Sequence, residues 1–401
     1  MKRLLLLVAL TLPASAGYSQ KTSKSADYFP PYNSWLHKSA ESLGLKDSAL
    51  RSAIRFAIAH EVKASRDGEM SQFQSFGKEP FSTAVGPVTE RGVPTGIIIY
   101  KGYIVAEWGD PARVDIVNSV TKSFLSSIIG IAVDRGIIRS TMDTVGRYIP
   151  PIEVYKPDAT GSGDMIYPFS SDHNKRLTWE VMLRQTSDWE GTLWDKPDWA
   201  DRPQGDIEQY KLRKRNEPGL VWKYNDVRVN ALALAATCVW RKSLPEVLKE
   251  TIMDPIGASN TWRWFGYRNS WIVLDGHIVQ SVSGGGHWGG GIFMNTYDMA
   301  RFGLLTLHRG NWNGIQLIST RWVKQALTPT TANTGYGYMN WFLNSGKKLL
   351  PSAPENVWVH IGNGTNMIYC DPENNLVVVA RWIDQKAMDV LIKHVLNALN
   401  K

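Results

Sequence analysis

Cysteine is nearly absent: Cys238 and Cys370 are the only two in 401 residues. A disulfide-built scaffold is excluded, and at most one bridge can form. Cys238 lies in an apolar helical run and Cys370 in a strand-like one, so both read as buried free thiols, with a bridge between them left open. Long apolar runs are also missing. Beyond the first sixteen residues nothing approaches the roughly 20 apolar residues that cross a bilayer, so no membrane span is expected. The chain has no G-x-S-x-G elbow, no Walker A loop and no H-E-x-x-H. Its eight histidines are dispersed without an H-x-H pair, and a zinc site from His277 and His287 is disfavoured, so neither metal nor cofactor is expected. Residues 284–289 match G-x-G-x-x-G in letters, yet no strand leads into them and the next helix begins only near Thr296. A tight glycine-rich turn near a cleft is the better reading.

What is present belongs to a globular chain, 43% hydrophobic and 20% charged, which excludes disorder and a polytopic membrane protein. The length allows two or three units, or one large enzyme with an insertion. The net charge of +8 is scattered, densest at Lys211, Arg213, Lys214 and Arg215. No aromatic-basic motif accompanies it, so a solvated face is read there and nucleic acid is not expected as a partner. Tryptophan is the excess: 17 residues, about three times the usual frequency. It implies ordinary core or an aromatic-lined cleft.

The first sixteen residues have the pattern of a cleaved export signal. Lys2 and Arg3 precede the short apolar run 4–12, and Ala14-Ser15-Ala16 offers a cleavage site. A periplasmic or secreted protein is expected, with residues 17–31 as a polar tether. Residues 48–62 have helical periodicity, and 95–108 read as a hairpin turning at Lys101-Gly102. Residues 119–135 form a helix apolar nearly all round, hence buried, and closed by Gly136. Helices are also read within 232–240, 244–252, 297–308 and 387–399, and strands at 336–343, 357–361, 366–370 and 376–382. The expected architecture is one α/β domain over 32–401. Its α/β part comes from about 32–118 and 330–401, with a mainly helical insertion at about 119–329.

The chemical signal is S-x-x-K. A serine nucleophile needs a base within hydrogen-bond reach, and positions i and i+3 of a helix share a face. A buried lysine loses charge stabilisation and can accept the serine proton. Three pairs match: Ser75/Lys78, Ser119/Lys122 and Ser345/Lys348. The first and last sit in glycine-containing loops, so only Ser119, opening a buried helix, has the required geometry.

With that pair located, the chain resembles the serine β-lactamase-related family over roughly residues 90–385, above all its class C branch of penicillin-binding aminopeptidases, esterases and 6-aminohexanoate-dimer hydrolases. Ser119 and Lys122 match its first motif, Tyr224-Asn225-Asp226 its Y-x-N motif, and His360-Ile361-Gly362 its K-T-G or H-x-G motif, in the family order. Residues 183–191 resemble its L-x-H-T-S-G segment, and 289–302 its G-G-x-x-S-T-x-x-D-x-A-R-F segment.

The resemblance implies an antiparallel sheet with terminal helices, facing the inserted region across a cleft. It implies Ser119 as the acylated nucleophile and Lys122 as general base or as the group that keeps Tyr224 deprotonated. Tyr224 would protonate the leaving group, and the backbone N–H groups of Ser119 and Asn363 would form the oxyanion hole. His360, Gly362, Asp226, Trp189 and Trp288 are the expected substrate-side residues. Two departures stand out. Asp226 replaces the motif's Asn, and is open to an amine-recognising or a salt-bridge role. His360 replaces a permanent cation, a weaker anchor for a β-lactam carboxylate. The expected activity is hydrolysis of a small ester or amide or a short peptide. A true β-lactamase or D-amino-peptide hydrolase is the alternative, and a non-catalytic penicillin-binding-like envelope protein the reading of another class.

Overall fold

The computed structural model describes residues 27–156 and 163–399. The signal expected over 1–16 and most of the 17–31 tether lie outside the described residues. The described end of that tether is packed: Tyr28 stacks on Tyr103 and Phe29 meets Trp312 edge-on.

The larger sheet has six antiparallel strands, in the order Phe342–Leu343, Trp358–Gly362, Asn366–Asp371, Leu376–Arg381, Thr95–Tyr100, Tyr103–Trp108. Alternation along each strand divides the interior in two. Ile97, Ile99, Ile368, Val377 and Val379 face one core, and their neighbours Ile98, Met367, Tyr369 and Val378 face another. The second core is closed by the helices Asp47–Ala59 and Met388–Leu396, through Leu50, Ala53, Leu391 and Val395. The first is closed by Thr121–Asp134 and Thr296–Leu307, through Phe124, Ile128, Met299 and Phe302.

A second sheet departs from the mainly helical region expected at 119–329. Its order is Asp115–Ile116, Gly291–Met294, Arg263–Leu274, Ile152–Val154, Met165–Ile166, with His277–Val282 also paired to Arg263–Leu274. Polar interruptions at Arg268, Asn269 and Ser270 hide the long strand in the sequence. Its turn was readable: Asp275 and Gly276 have φ of 53° and 79°, the positive pair of a tight hairpin. The strand expected at 336–343 reduces to Phe342–Leu343, because Tyr336 and Tyr338 are buried in a tight loop closed by Gly337 N–H to the Trp341 carbonyl. Cys238 and Cys370 are buried free thiols, each pushed up to about 12 by burial. Among the described residues no helix is long and apolar enough to cross a membrane.

Candidate active site

Ser119 lies on a single 3-10 turn, Asn118–Val120, that leads into the Thr121–Asp134 helix. Asn118 holds a left-handed φ of 49°, a conformation that costs a non-glycine residue about 1 kcal/mol or more. Its side chain compensates by donating to the Asn363 carbonyl at 3.0 Å, which ties the turn to the end of the Trp358–Gly362 strand. Gly362 permits that approach: a Cβ there would collide with the Val117 carbonyl and lie 3.1 Å from the Ser119 nitrogen.

One helical turn on, Lys122 has no solvent exposure. Its Nζ donates to Ser119 Oγ at 2.9 Å and to Asp226 Oδ1 at 2.5 Å, and lies 4.7 Å from the centre of the Tyr224 ring. Asp226 is the first residue of the Asp226–Trp240 helix, where the dipole favours a carboxylate. Burial works against its charge, but Lys122, His287 and Arg202 outweigh that and hold the carboxyl well below its usual range. Arg202 donates to Asp226 Oδ2 at 2.9 Å, and the Asp226 N–H donates to the Asp201 carboxylate.

Tyr224 is presented by the segment that carries residues 183–191. The Asn225 N–H donates to Gln185 Oε1 at 2.7 Å, and Lys223 N–H to the Gln185 carbonyl at 3.0 Å. Behind this segment Asp188 accepts from Arg213, Arg228 and Asn216, a charge network that fixes its course. Burial and the Asp226 charge raise the Tyr224 phenol above its ordinary value, against a hydrogen bond with Ser119 and the Arg202 charge. At neutral pH Tyr224 is therefore a phenol, equipped to give a proton rather than to stand as a phenolate. That favours the first of the two roles implied for Lys122.

The mouth of the site is covered by residues 67–90. On this segment Ser75, expected in a loop, ends the Gly68–Phe76 helix, and its Oγ accepts from Asn363 Nδ2 at 3.1 Å. Phe76 packs on the His287 ring with centroids 4.0 Å apart. Beyond it, Lys196 Nζ donates to the Phe81 and Thr83 carbonyls at 2.5 and 2.8 Å. The cavity left beside Asn118 and Asn363 measures about 60 Å³, well short of the ~300 Å³ at which ligand pockets begin. A cavity of about 700 Å³ lined by Tyr32, Glu246, Lys249, Trp262 and Phe265 is larger. Its lining holds no serine–lysine pair in hydrogen-bond contact, so chemistry and not volume assigns the site.

The family model described as Beta-lactamase matches residues 116–382, about two thirds of the chain. The chain belongs to the β-lactamase family. Among solved structures it is similar to a candidate β-lactamase from Bacteroides dorei, at 14% identity and TM-score 0.54, covering 83% of this chain and 97% of that one. It is similar to a penicillin-binding protein from Bacillus halodurans at 14% identity and TM-score 0.52, covering 75% and 95%. A candidate 6-aminohexanoate-dimer hydrolase from Bacillus anthracis aligns at 16% identity and TM-score 0.50, covering 93% and 100%. No curated protein matches the sequence. These likenesses are of fold, and the family membership rests on the family model.

Within this β-lactamase-family fold, Ser119, Lys122, Tyr224 and Asp226 come together, with Gly362 and the exposed Asn363 against them. Three other expected contacts are displaced. His360 has no exposure: its ring lies against Trp341 and Phe302, and neither nitrogen finds a partner among the described residues. Burial pushes its pKa down to about 3, so it is neutral and offers no cation to a substrate. Trp189 and Trp288 are 2% and 0% exposed, and so is core Trp358 at 1%. Their flat faces fill the interior, whereas Trp222 is half-buried at 6.1 Å from Tyr224 and Trp199 is half-buried against Phe81 of the covering segment. The tryptophan excess is therefore mostly core.

Sequence reasoning missed Arg202, Asp201 and Glu79, and weighed His287 only as a disfavoured zinc ligand. Only the glycine-rich turn hinted at one of them. Gly285 is needed there because a Cβ would collide with Asp226 Oδ1 and Lys122 Nζ. Gly285→Ala is expected to push the ion pair off Ser119 and to lower ester turnover by at least about a hundredfold, read as kcat at unchanged KM. Glu79, Asp201 and His287 approach one another closely enough to suggest a metal cage. The donor set does not fit one. His287 Nε2 faces Glu79 at 2.7 Å while Nδ1 faces Asp226 at 3.4 Å, and Arg202 already occupies carboxylate oxygens of Asp201 and Asp226. A metal takes one ring nitrogen, and a neighbouring guanidinium repels it.

Proposed function

We propose that the protein is an exported serine hydrolase of small esters or amides that works through an acyl-enzyme on Ser119. The observation that carries this is the 2.9 Å contact between Ser119 Oγ and Lys122 Nζ, with Asp226 2.5 Å beyond. With Lys122 as the neutral amine held in place by Asp226, Ser119 Oγ attacks the carbonyl carbon as its proton passes to Lys122, which can return it to Tyr224. The Tyr224 phenol protonates the departing alcohol or amine, and water then releases the acid. The oxyanion is met by the Ser119 and Asn363 N–H groups, each such donor being worth roughly 3 kcal/mol of barrier. Export rests on the charged, apolar and Ala-x-Ala pattern of the first sixteen residues.

Two features favour esters and amides over β-lactams. Asp226 is engaged by Lys122 and Arg202 and cannot act as an amide donor. His360 is buried and neutral, so it cannot hold a β-lactam carboxylate. A fluorophosphonate probe followed by peptide mapping is expected to label Ser119. A nitrophenyl ester should turn over well above a chromogenic cephalosporin. Absence of label on folded protein would sink the hydrolase reading, and the reverse substrate order would sink the preference.

A further inference from the structure

Lys122 and Asp226 do not end the chain of charges that begins at Ser119. Asp226 accepts from Lys122 at Oδ1 and from Arg202 at Oδ2, and His287 Nδ1 approaches Oδ2 without a hydrogen bond. The His287 side chain is wholly buried, between Phe76 of the covering segment and Trp288, at centroid distances of 4.0 and 4.2 Å. Its Nδ1 lies 3.4 Å from Asp226 Oδ2 and 3.9 Å from Asp201 Oδ1, and its Nε2 lies 2.7 Å from Glu79 Oε2. Five groups in a row therefore join the nucleophile to the segment over its mouth: Ser119, Lys122, Asp226, His287 and Glu79.

We propose that His287 and Glu79 are positioning residues for the Ser119 centre, with Glu79 holding a protonated His287 against Asp226 only when residues 67–90 are seated over the site. This rests on the hydrolase reading above. The charges facing His287 are Glu79 on the covering segment, Asp201 and Arg202 on the loop beneath it, and Asp226 at its helix N-terminus. Burial disfavours the imidazolium, and the three carboxylates outweigh burial and Arg202, so the ring stays charged above its ordinary range. A charged His287 draws on Asp226 Oδ2 and leaves less of that carboxylate's charge on the Lys122 ammonium. Lys122 then gives up its own proton more readily, and the neutral amine is free to take that of Ser119. When Glu79 withdraws, His287 loses one of the three carboxylates that favour its proton, Asp226 grips the ammonium harder and the centre is less reactive. The cover thus does more than shut out water: its closure prepares the base.

The test uses Glu79→Gln, Glu79→Asp and His287→Gln in the full mature chain. The readouts are fluorophosphonate labelling of Ser119 against pH and nitrophenyl-ester kinetics. Glu79→Gln and His287→Gln should each label about tenfold more slowly at pH 7. The pH of half-maximal labelling should rise by about one unit. The loss should fall in kcat and not in KM, and Glu79→Asp should recover most of it. A merely structural Glu79 would change melting temperature and leave the pH midpoint where it was. If wild type labels and both Gln variants keep its midpoint, the positioning role is overturned and the hydrolase reading stands. If wild type does not label, the hydrolase reading falls and takes this one with it. Should Glu79→Gln fail to fold, the midpoint of His287→Gln decides alone.

Discussion

Replacing Lys122 with methionine is expected to lower ester turnover and Ser119 labelling by about ten-thousandfold, the loss typical of removing one member of a catalytic unit. The argument is geometric. Among the described residues, Lys122 Nζ is the basic group that touches Ser119 Oγ, and Tyr224 is held as a phenol by burial and by Asp226. The companion change separates catalysis from stability. Asp226→Leu leaves the Lys122 ammonium fully buried with Ser119 as its remaining hydrogen-bond partner. Breaking a buried pair from one side costs about 3–5 kcal/mol, whereas replacing both partners with apolar groups is often neutral. The double variant Lys122→Met/Asp226→Leu should therefore recover most of the stability lost by Asp226→Leu and none of the activity. Chemical denaturation and ester kinetics on the three variants check both statements. Additive stability losses would show that the pair is not a unit, and a Lys122→Met variant of near-normal activity would remove Lys122 from the mechanism.

The site was legible where function imposes local spacing. Ser119 and Lys122 are three residues apart, on a 3-10 turn and the helix that follows it, and Tyr224 is two residues before Asp226, so short patterns picked them out. Asp226 itself was visible but ambiguous between binding an amine and forming a salt bridge. The structure decides for the salt bridge, because Lys122 and Arg202 both lie on its oxygens. The groups around it had no pattern to betray them. Glu79, Asp201, Asp226 and His287 come from four separate segments, and only tertiary packing joins them. The same contrast runs through the fold. The hairpin 95–108 and the strands from Trp358 to Arg381 are short apolar runs, with β-branched triplets at Ile97–Ile99 and Val377–Val379, and were read from sequence. The strand Arg263–Leu274 alternates buried and exposed residues around a polar middle, and its periodicity was overlooked despite an Asp-Gly turn. Trp189 and Trp288 mislead for another reason. Closeness in sequence to a catalytic residue says nothing about which side of the chain faces the cleft.

Acid is expected to unfold this protein early, and His360 is the reason to look first. The folded state holds the ring neutral down to about pH 3, because it is wholly buried against Trp341 and Phe302 with no partner for either nitrogen among the described residues. An unfolded histidine takes a proton near pH 6.5. Above that pH both states are neutral and His360 contributes no slope. As pH falls below it, the unfolded state binds a proton that the folded state refuses. Stability should then drop by about 1.4 kcal/mol per pH unit, or about 3 kcal/mol by pH 4. His287 acts with the opposite sign. Its raised value means that the stability from its carboxylate contacts is fully present below about pH 6.5 and lost as pH rises through the folded value. The two are separated by variants. His360→Leu keeps an apolar group of similar size among the aromatic rings and removes the buried titration. Its stability between pH 7 and pH 4 should fall by about 3 kcal/mol less than that of wild type, while ester turnover at pH 7 stays within a few fold, because His360 does not reach the mouth. Parallel urea melts at the two pH values measure the difference. A His360→Leu chain whose acid loss matches wild type would show that the buried ring is not what acid attacks. A large rise in KM or fall in kcat at pH 7 would return His360 to the substrate side of the site.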